Sequence, residues 1–256
     1  MQTNFEIENN PVLNPSDSWG FWGSCFSQEM SQRFRLKGLP IWQHPHGTVF
    51  SSRAMREQLR ALRRGHWDLV ETPDGCRSWQ AAHKIPIHDE QQDIQELRTQ
   101  LGRLDLLFIT LGSAYTYYHK PSEIWAANCH KIDQRSFTKH LLSPDEIAAD
   151  LLEIRSHLQS LNPSLKVIWT LSPVRHLRDG IVENARSKAH CLTALHRHIE
   201  SSSDMYFPSY EIATEELRDH RHFAADMAHL NAEAVDYIFL RLCQAWGTEA
   251  LMALLS

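Results

Sequence analysis

Residues 104–112 read LDLLFITLG. A near-continuous apolar run of this length, closed by glycine, suits a strand buried on both faces, and such strands belong to parallel sheets covered by helices. The rest of the chain repeats the theme at lower contrast. Short apolar runs at 18–23 (SWGFWG), 39–43 (LPIWQ), 165–173 (LKVIWTLSP) and within 205–212 (MYFPSYEI) alternate with longer amphipathic stretches. The latter predict helices over 26–38, 51–64 with a serine N-cap, 90–102, 143–163, 183–200 and 231–243. The helix at 143 opens with Ser-Pro-Asp-Glu and stops at Asn-Pro. Strands alternating with helices predict an α/β fold, a parallel sheet with helices on both faces. Two stretches break the rhythm and read as loop-rich insertions: 65–90, which holds the turn signal TPDG, and 113–140, irregular and rich in aromatic and polar residues. No repeat and no Gly/Ser linker divides the 256 residues, so 1–256 reads as a single domain.

Composition narrows the function classes. Lys and Arg number 26 against 31 Asp and Glu, a formal net charge of −5, so no basic field invites nucleic acid. No apolar run approaches the roughly 18 residues of a membrane span. The N-terminal stretch lacks the basic start and apolar core of a signal peptide, and the expectation is a cytoplasmic protein. Five cysteines, an odd number with no CxxC, argue against a disulfide framework. Sixteen histidines include the close pairs His44/His46, His196/His198 and His220/His222. They keep a His-dependent metalloenzyme as an alternative, although neither HExxH nor CxxC is present. Phosphate-cradling glycine loops are absent, and no cofactor is expected.

In open parallel sheets ligands bind beyond the carboxyl ends of the strands. That rule selects Gly23-Ser24-Cys25, His44-Pro45-His46-Gly47, Gly112-Ser113-Ala114-Tyr115 and Ser172-Pro173. A nucleophile at Cys25 or Ser24, directly after a strand and opening a helix, gains from the helix N-terminus, which favours a thiolate or a developing oxyanion. Read alone, GSCFS also fits a glycine turn followed by buried, unreactive residues. Asp226 and His229 have the spacing of a base and its orienter. Asn128 is a potential oxyanion donor, and His130 beside it a potential contact for substrate.

Taken in series, GSCFS (23–27), HPHGTVF (44–50), FITLGSAYTY (108–117), NCHK (128–131), SPVRHLRDG (172–180), NARSKA (184–189), the stretch 206–231 ending DMAHLN, and AVDYIFLRL (234–242) resemble the GSCFA family. Ser27 stands where that family usually has Ala. The family is similar to the SGNH/GDSL hydrolases. The resemblance implies a three-layer α/β/α sandwich around a flavodoxin-like, five-stranded parallel sheet, with a nucleophile after the first strand and a late DxxH. An ungapped match to GDSL places Cys25 at the nucleophile; a one-residue shift restores Ser24. Gly47 matches the oxyanion glycine. Ala114 stands where the superfamily has its oxyanion Asn, which leaves Asn128 as replacement. Gly112 and His130 fall on the substrate side. The implied function is an acyl-ester or thioester hydrolase or acyltransferase, working through a covalent acyl-enzyme on a small-molecule or glycan acyl substrate. The alternative on the same fold is a ligand-binding module without catalysis.

Overall fold

The computed structural model of the chain describes residues 4–73, 75–82 and 89–255. In chain order its elements are β1 (Trp19–Gly23), α1 (Cys25–Leu36), β2 (Trp42–Gln43), α2 (Ser52–Arg64), β3 (Leu69–Thr72), β4 (Gly75–Ser78), α3 (Glu90–Leu101), β5 (Leu106–Leu111), β6 (Tyr115–His119), β7 (Ile124–Ala126), β8 (Phe137–Leu141), α4 (Pro144–Leu161), β9 (Lys166–Leu171), α5 (Ile181–Glu200), β10 (Met205–Tyr206), α6 (Ser209–Glu211), α7 (Ala232–Trp246) and α8 (Glu249–Leu255). Five strands form one parallel sheet in the order β2-β1-β5-β9-β10. Numbered among themselves these strands run 2-1-3-4-5, the flavodoxin-like order, with the switch point between β1 and β5.

The period of two along β5 explains why it reads as continuously apolar. Leu107, Ile109 and Leu111 face a core shared with α2, α3, α4 and α5, through Met55, Leu97, Ile154 and Leu195 among others. Leu106 and Phe108 face a second core with α1 and α7, through Met30, Phe34, Val235 and Ile238. The three layers follow from that double burial. Helix starts match their caps. Ser143 and Glu146 close a capping box at α4, and Ser51 accepts from Ala54 N–H at α2. α2 and α4 are joined by Asp150, fully buried, which accepts from Ser52 Oγ (2.9 Å), Arg53 Nε (3.0 Å) and Arg56 Nη1 (2.7 Å).

Several elements depart from expectation. Residues 113–140 are not irregular: they hold an antiparallel sheet of order β7-β6-β8. Tyr, Thr and Trp in YTYYH and IWA favour strands, but only part of this sheet is buried, so its apolar contrast is weak. Within 65–90 an antiparallel hairpin forms, with Thr72 opposite Gly75; Asp74 of the TPDG turn and residues 83–88 lie outside the described residues. The outer strands shrink to two residues each, beside Pro40 and Pro208, which have no N–H for a ladder. Among the described residues no helix is long and apolar enough to cross a membrane.

Candidate active site

β1 ends at Gly23, whose φ is +130°. A Cβ there would stand 2.2 Å from Thr110 O, so only glycine lets β1 close on β5 and turn at once into α1. Ser24 is the N-cap residue. Its N–H donates to Thr110 O (3.0 Å), its side chain is 1% exposed, and its hydroxyl has no partner among the described residues. Cys25, the first residue of α1, is half-buried, and its Sγ lies 3.7 Å from His229 Nε2. Of the two candidate nucleophiles, the fold brings Cys25 to the histidine and seals Ser24 underneath.

The histidine is held from behind. His229 Nδ1 is 2.6 Å from Asp226 Oδ2, while Asp226 Oδ1 accepts from the N–H groups of Ala228 (2.9 Å) and His229 (3.0 Å). These bonds, the His229 N–H foremost, hold the Asp226 carboxyl down to about 2. An ionised carboxylate on Nδ1 keeps the proton there and turns the Nε2 lone pair to the thiol. The turn is tight, with Met227 at φ +56°. It is fastened by the loop after β9: Arg175 N–H donates to Ala228 O (3.0 Å), and the Arg175 guanidinium lies 3.8 Å over the Phe223 ring.

The expected thiolate is not the resting form. Burial pushes the Cys25 thiol up. The N–H groups of Phe26 and Cys25 at the start of α1, and the charge of Lys188, pull it down without overcoming burial. Lys188 is a residue that motif reading passed over. It is 1% exposed, and its Nζ donates to Gly112 O (2.7 Å) and Ser172 O (2.6 Å), tying the carboxyl ends of β5 and β9 together. Burial lowers it to about 8. The available signal was its place on the apolar face of α5, three and seven residues before Cys191 and Leu195.

The remaining candidates scatter around this centre. Gly47, φ +76°, sits in the loop after β2, and Val49 N–H of that loop donates to Gly23 O (2.9 Å). Gly112 N–H donates to Phe50 O (2.8 Å); a Cβ on it would meet Phe50 Cδ1 at 2.7 Å and Ser24 Cβ at 3.2 Å. Ala114 is buried, its N–H on Ser187 Oγ (2.8 Å). Asn128 Nδ2 donates to Ala82 O (3.2 Å) and its Oδ1 accepts from His130 N–H (2.8 Å); no hydrogen bond links it to Cys25 or His229. His130 Nε2 faces Ser78 O (2.8 Å) and the ring packs near Trp79, so it braces its loop.

A cavity of about 590 Å³ opens under the β6–β8 sheet; neither Cys25 nor His229 is on its wall, and it adjoins their surroundings through Phe50, which packs on Gly112. Phe50, Ser113, Tyr115, Tyr117, Asn128, Cys129, Phe137, Lys139, His176, Arg178 and Asp179 are on its wall. Phe50 and His176 meet edge-on (5.1 Å between ring centres), and Phe50 packs against Gly112. Burial, helped by Lys188, lowers His176 to about 4, so its ring is neutral at pH 7. His44 and His46 meet edge-on (5.4 Å between ring centres), and each also packs or bonds elsewhere: His44 stacks on Trp22 and His46 meets Asp93, while His198 meets Asp204. Among the described residues no three His, Cys, Asp or Glu side chains gather to hold a metal ion.

The sheet order, the turn from β1 into α1 and the late Asp226–His229 turn together define an α/β/α protein with the SGNH/GDSL-hydrolase fold. The family model of the GSCFA family matches residues 20–241, and the chain belongs to that family. No curated protein matches it. A Parabacteroides merdae ATCC 43184 structure described as a GDSL-like lipase has a TM-score of 0.51 at 10% identity, covering 92% of this chain and 98% of that one. Looser alignments join the periplasmic domain of a lipopolysaccharide acetyltransferase from Salmonella ser. Paratyphi A (TM-score 0.43, 10% identity, 91% and 85% covered) and a carbohydrate esterase family 3 protein from Talaromyces cellulolyticus (0.39, 12%, 88% and 94%). At these identities the likeness is one of fold.

Proposed function

We propose that the protein is a cysteine-dependent acyl hydrolase or acyltransferase. The observation that carries the reading is the line Cys25 Sγ–His229 Nε2 and His229 Nδ1–Asp226, at the carboxyl edge of the sheet's switch point. A raised thiol needs a base, and His229 is the base in contact with it. His229 Nε2 takes the thiol proton as sulfur bonds to the acyl carbonyl carbon. The carbonyl oxygen becomes an oxyanion, facing the Cys25 N–H and, in this reading, the Gly47 N–H. Collapse re-forms the carbonyl, breaks the bond to the alcohol, thiol or amine, and returns the proton from His229 to that leaving group. A water or an acceptor hydroxyl or amine then gives a proton to His229 and displaces Cys25 from the thioester. Asn128, held by Ala82 O, has no part in this scheme.

The test is intact mass and peptide mapping after brief exposure to p-nitrophenyl acetate and to an acetyl thioester. One acetyl group on Cys25 is expected, absent in Cys25→Ala and retained in Ser24→Ala. In His229→Ala it should form about 10²–10⁴ times more slowly, the usual contribution of a positioned base. An adduct on Ser24, or none on either residue, overturns the proposal; the latter returns the fold to ligand binding.

A further inference from the structure

The cavity under the β6–β8 sheet carries an unbalanced charge. Lys139 Nζ pairs with the Asp179 carboxylate and lies 3.9 Å over the Tyr115 ring, so this cation and this anion neutralise each other. Arg178, on the same wall, has no carboxylate partner among the described residues. The next carboxylate along, Glu183, accepts from Tyr115 OH (2.5 Å) and lies 3.8 Å from Arg186. His176, neutral at pH 7, adds nothing. One guanidinium is therefore left over on the cavity wall of a chain whose net charge is −5. Its forked donors match a carboxylate or phosphate oxygen pair. Beside it stand Tyr115, Tyr117 and Phe137, apolar ring surface for the body of a ligand, and the volume suits a ring-sized group and exceeds what a bare anion needs.

Building on the acyl-transfer reading, we propose that this cavity binds the alcohol, thiol or amine portion of the substrate, and that this portion is anionic, its charge paired with Arg178. The cavity wall adjoins the thiol through packed residues: Phe50 and Ser113 are on the wall, Gly112 packs against Phe50, Ser24 against Gly112, and Cys25 is next in the chain. The acyl carbonyl then lies over Cys25 while the charged portion points under β6–β8.

Cys129, half-buried on the same wall, serves as a built-in reporter, and Arg178 is the cation that acts on it. In a Cys25→Ala background, Cys129 is alkylated with iodoacetate and with iodoacetamide and the peptide quantified. The iodoacetate-to-iodoacetamide rate ratio should fall about threefold or more in Arg178→Gln. A ratio unmoved by the substitution removes the anion site. The second arm uses otherwise wild-type protein and compares acetylation of Cys25 by 3-acetoxybenzoate and by phenyl acetate. The ratio favours the charged ester and should drop about tenfold in Arg178→Gln, with Arg178→Lys between. An alkylation effect with no change in the ester ratio shows a charge that substrate does not meet, and overturns the proposal. If neither ester acetylates Cys25, the acyl-transfer reading fails while the alkylation arm still decides the anion site.

Discussion

At the scale of single residues, the centre turns on one competition, burial against helix N–H groups at Cys25. Burial wins, so the thiol stays protonated above its ordinary range. Only the thiolate alkylates. In His229→Ala, the rate of Cys25 reaction with iodoacetamide should therefore still climb with pH beyond 9.0, the ordinary thiol value. A rate that levels off near pH 8 would show a thiol that burial does not hold up. Asp226 stays ionised to about pH 2 and contributes no titration of its own in that range. GSCFS was legible because it stands directly after β1, and DxxH because its spacing suits a base and its orienter. Cys25 against Ser24 was not, since both are small and the choice depends on how Gly23, at φ +130°, aims the next two side chains. Arg178 was invisible for another reason: an arginine in a loop carries no signal until the carboxylates around it are known.

At the scale of elements, the five core strands and the main helices were readable from period and caps, because burial on both faces of β5 and the box at Ser143 leave marks in the sequence itself. The β6–β8 sheet left a fainter mark, and it is the sheet that roofs the cavity. The seam between α2 and α4 yields a stability prediction. Asp150 is buried with Arg53 and Arg56, and burial pushes its carboxyl up despite both guanidinium groups, Arg53 the stronger of the two. Removing the shared anion leaves Arg53 with Glu146 (3.8 Å) and Arg56 with Glu57 (2.6 Å), but takes a buried acceptor from both guanidinium groups and from Ser52. Asp150→Ala should cost about 1.5–3 kcal/mol in denaturant unfolding, the range for losing hydrogen bonds to a charged group. A loss below about 1 kcal/mol would mean that the arginines swing out to water.

At the scale of the whole molecule, the thiol and its base come from opposite ends of the chain, 204 residues apart. Helices α1 and α7, which flank them, pack on the same face of the sheet. Contacts of such separation close late, because the intervening chain must be ordered before they gain anything. On refolding from denaturant, acetylation competence of Cys25 should return with the slow recovery of tryptophan fluorescence, after the far-ultraviolet helix signal. Competence that returns with the helix signal would place the dyad's closure early. A newly made chain thus carries Cys25 long before residue 229 has been synthesised. On the acyl-transfer reading, reactivity toward acyl groups is in this sense a certificate of folding: half-built copies lack His229, so their Cys25 has no positioned base to take its proton.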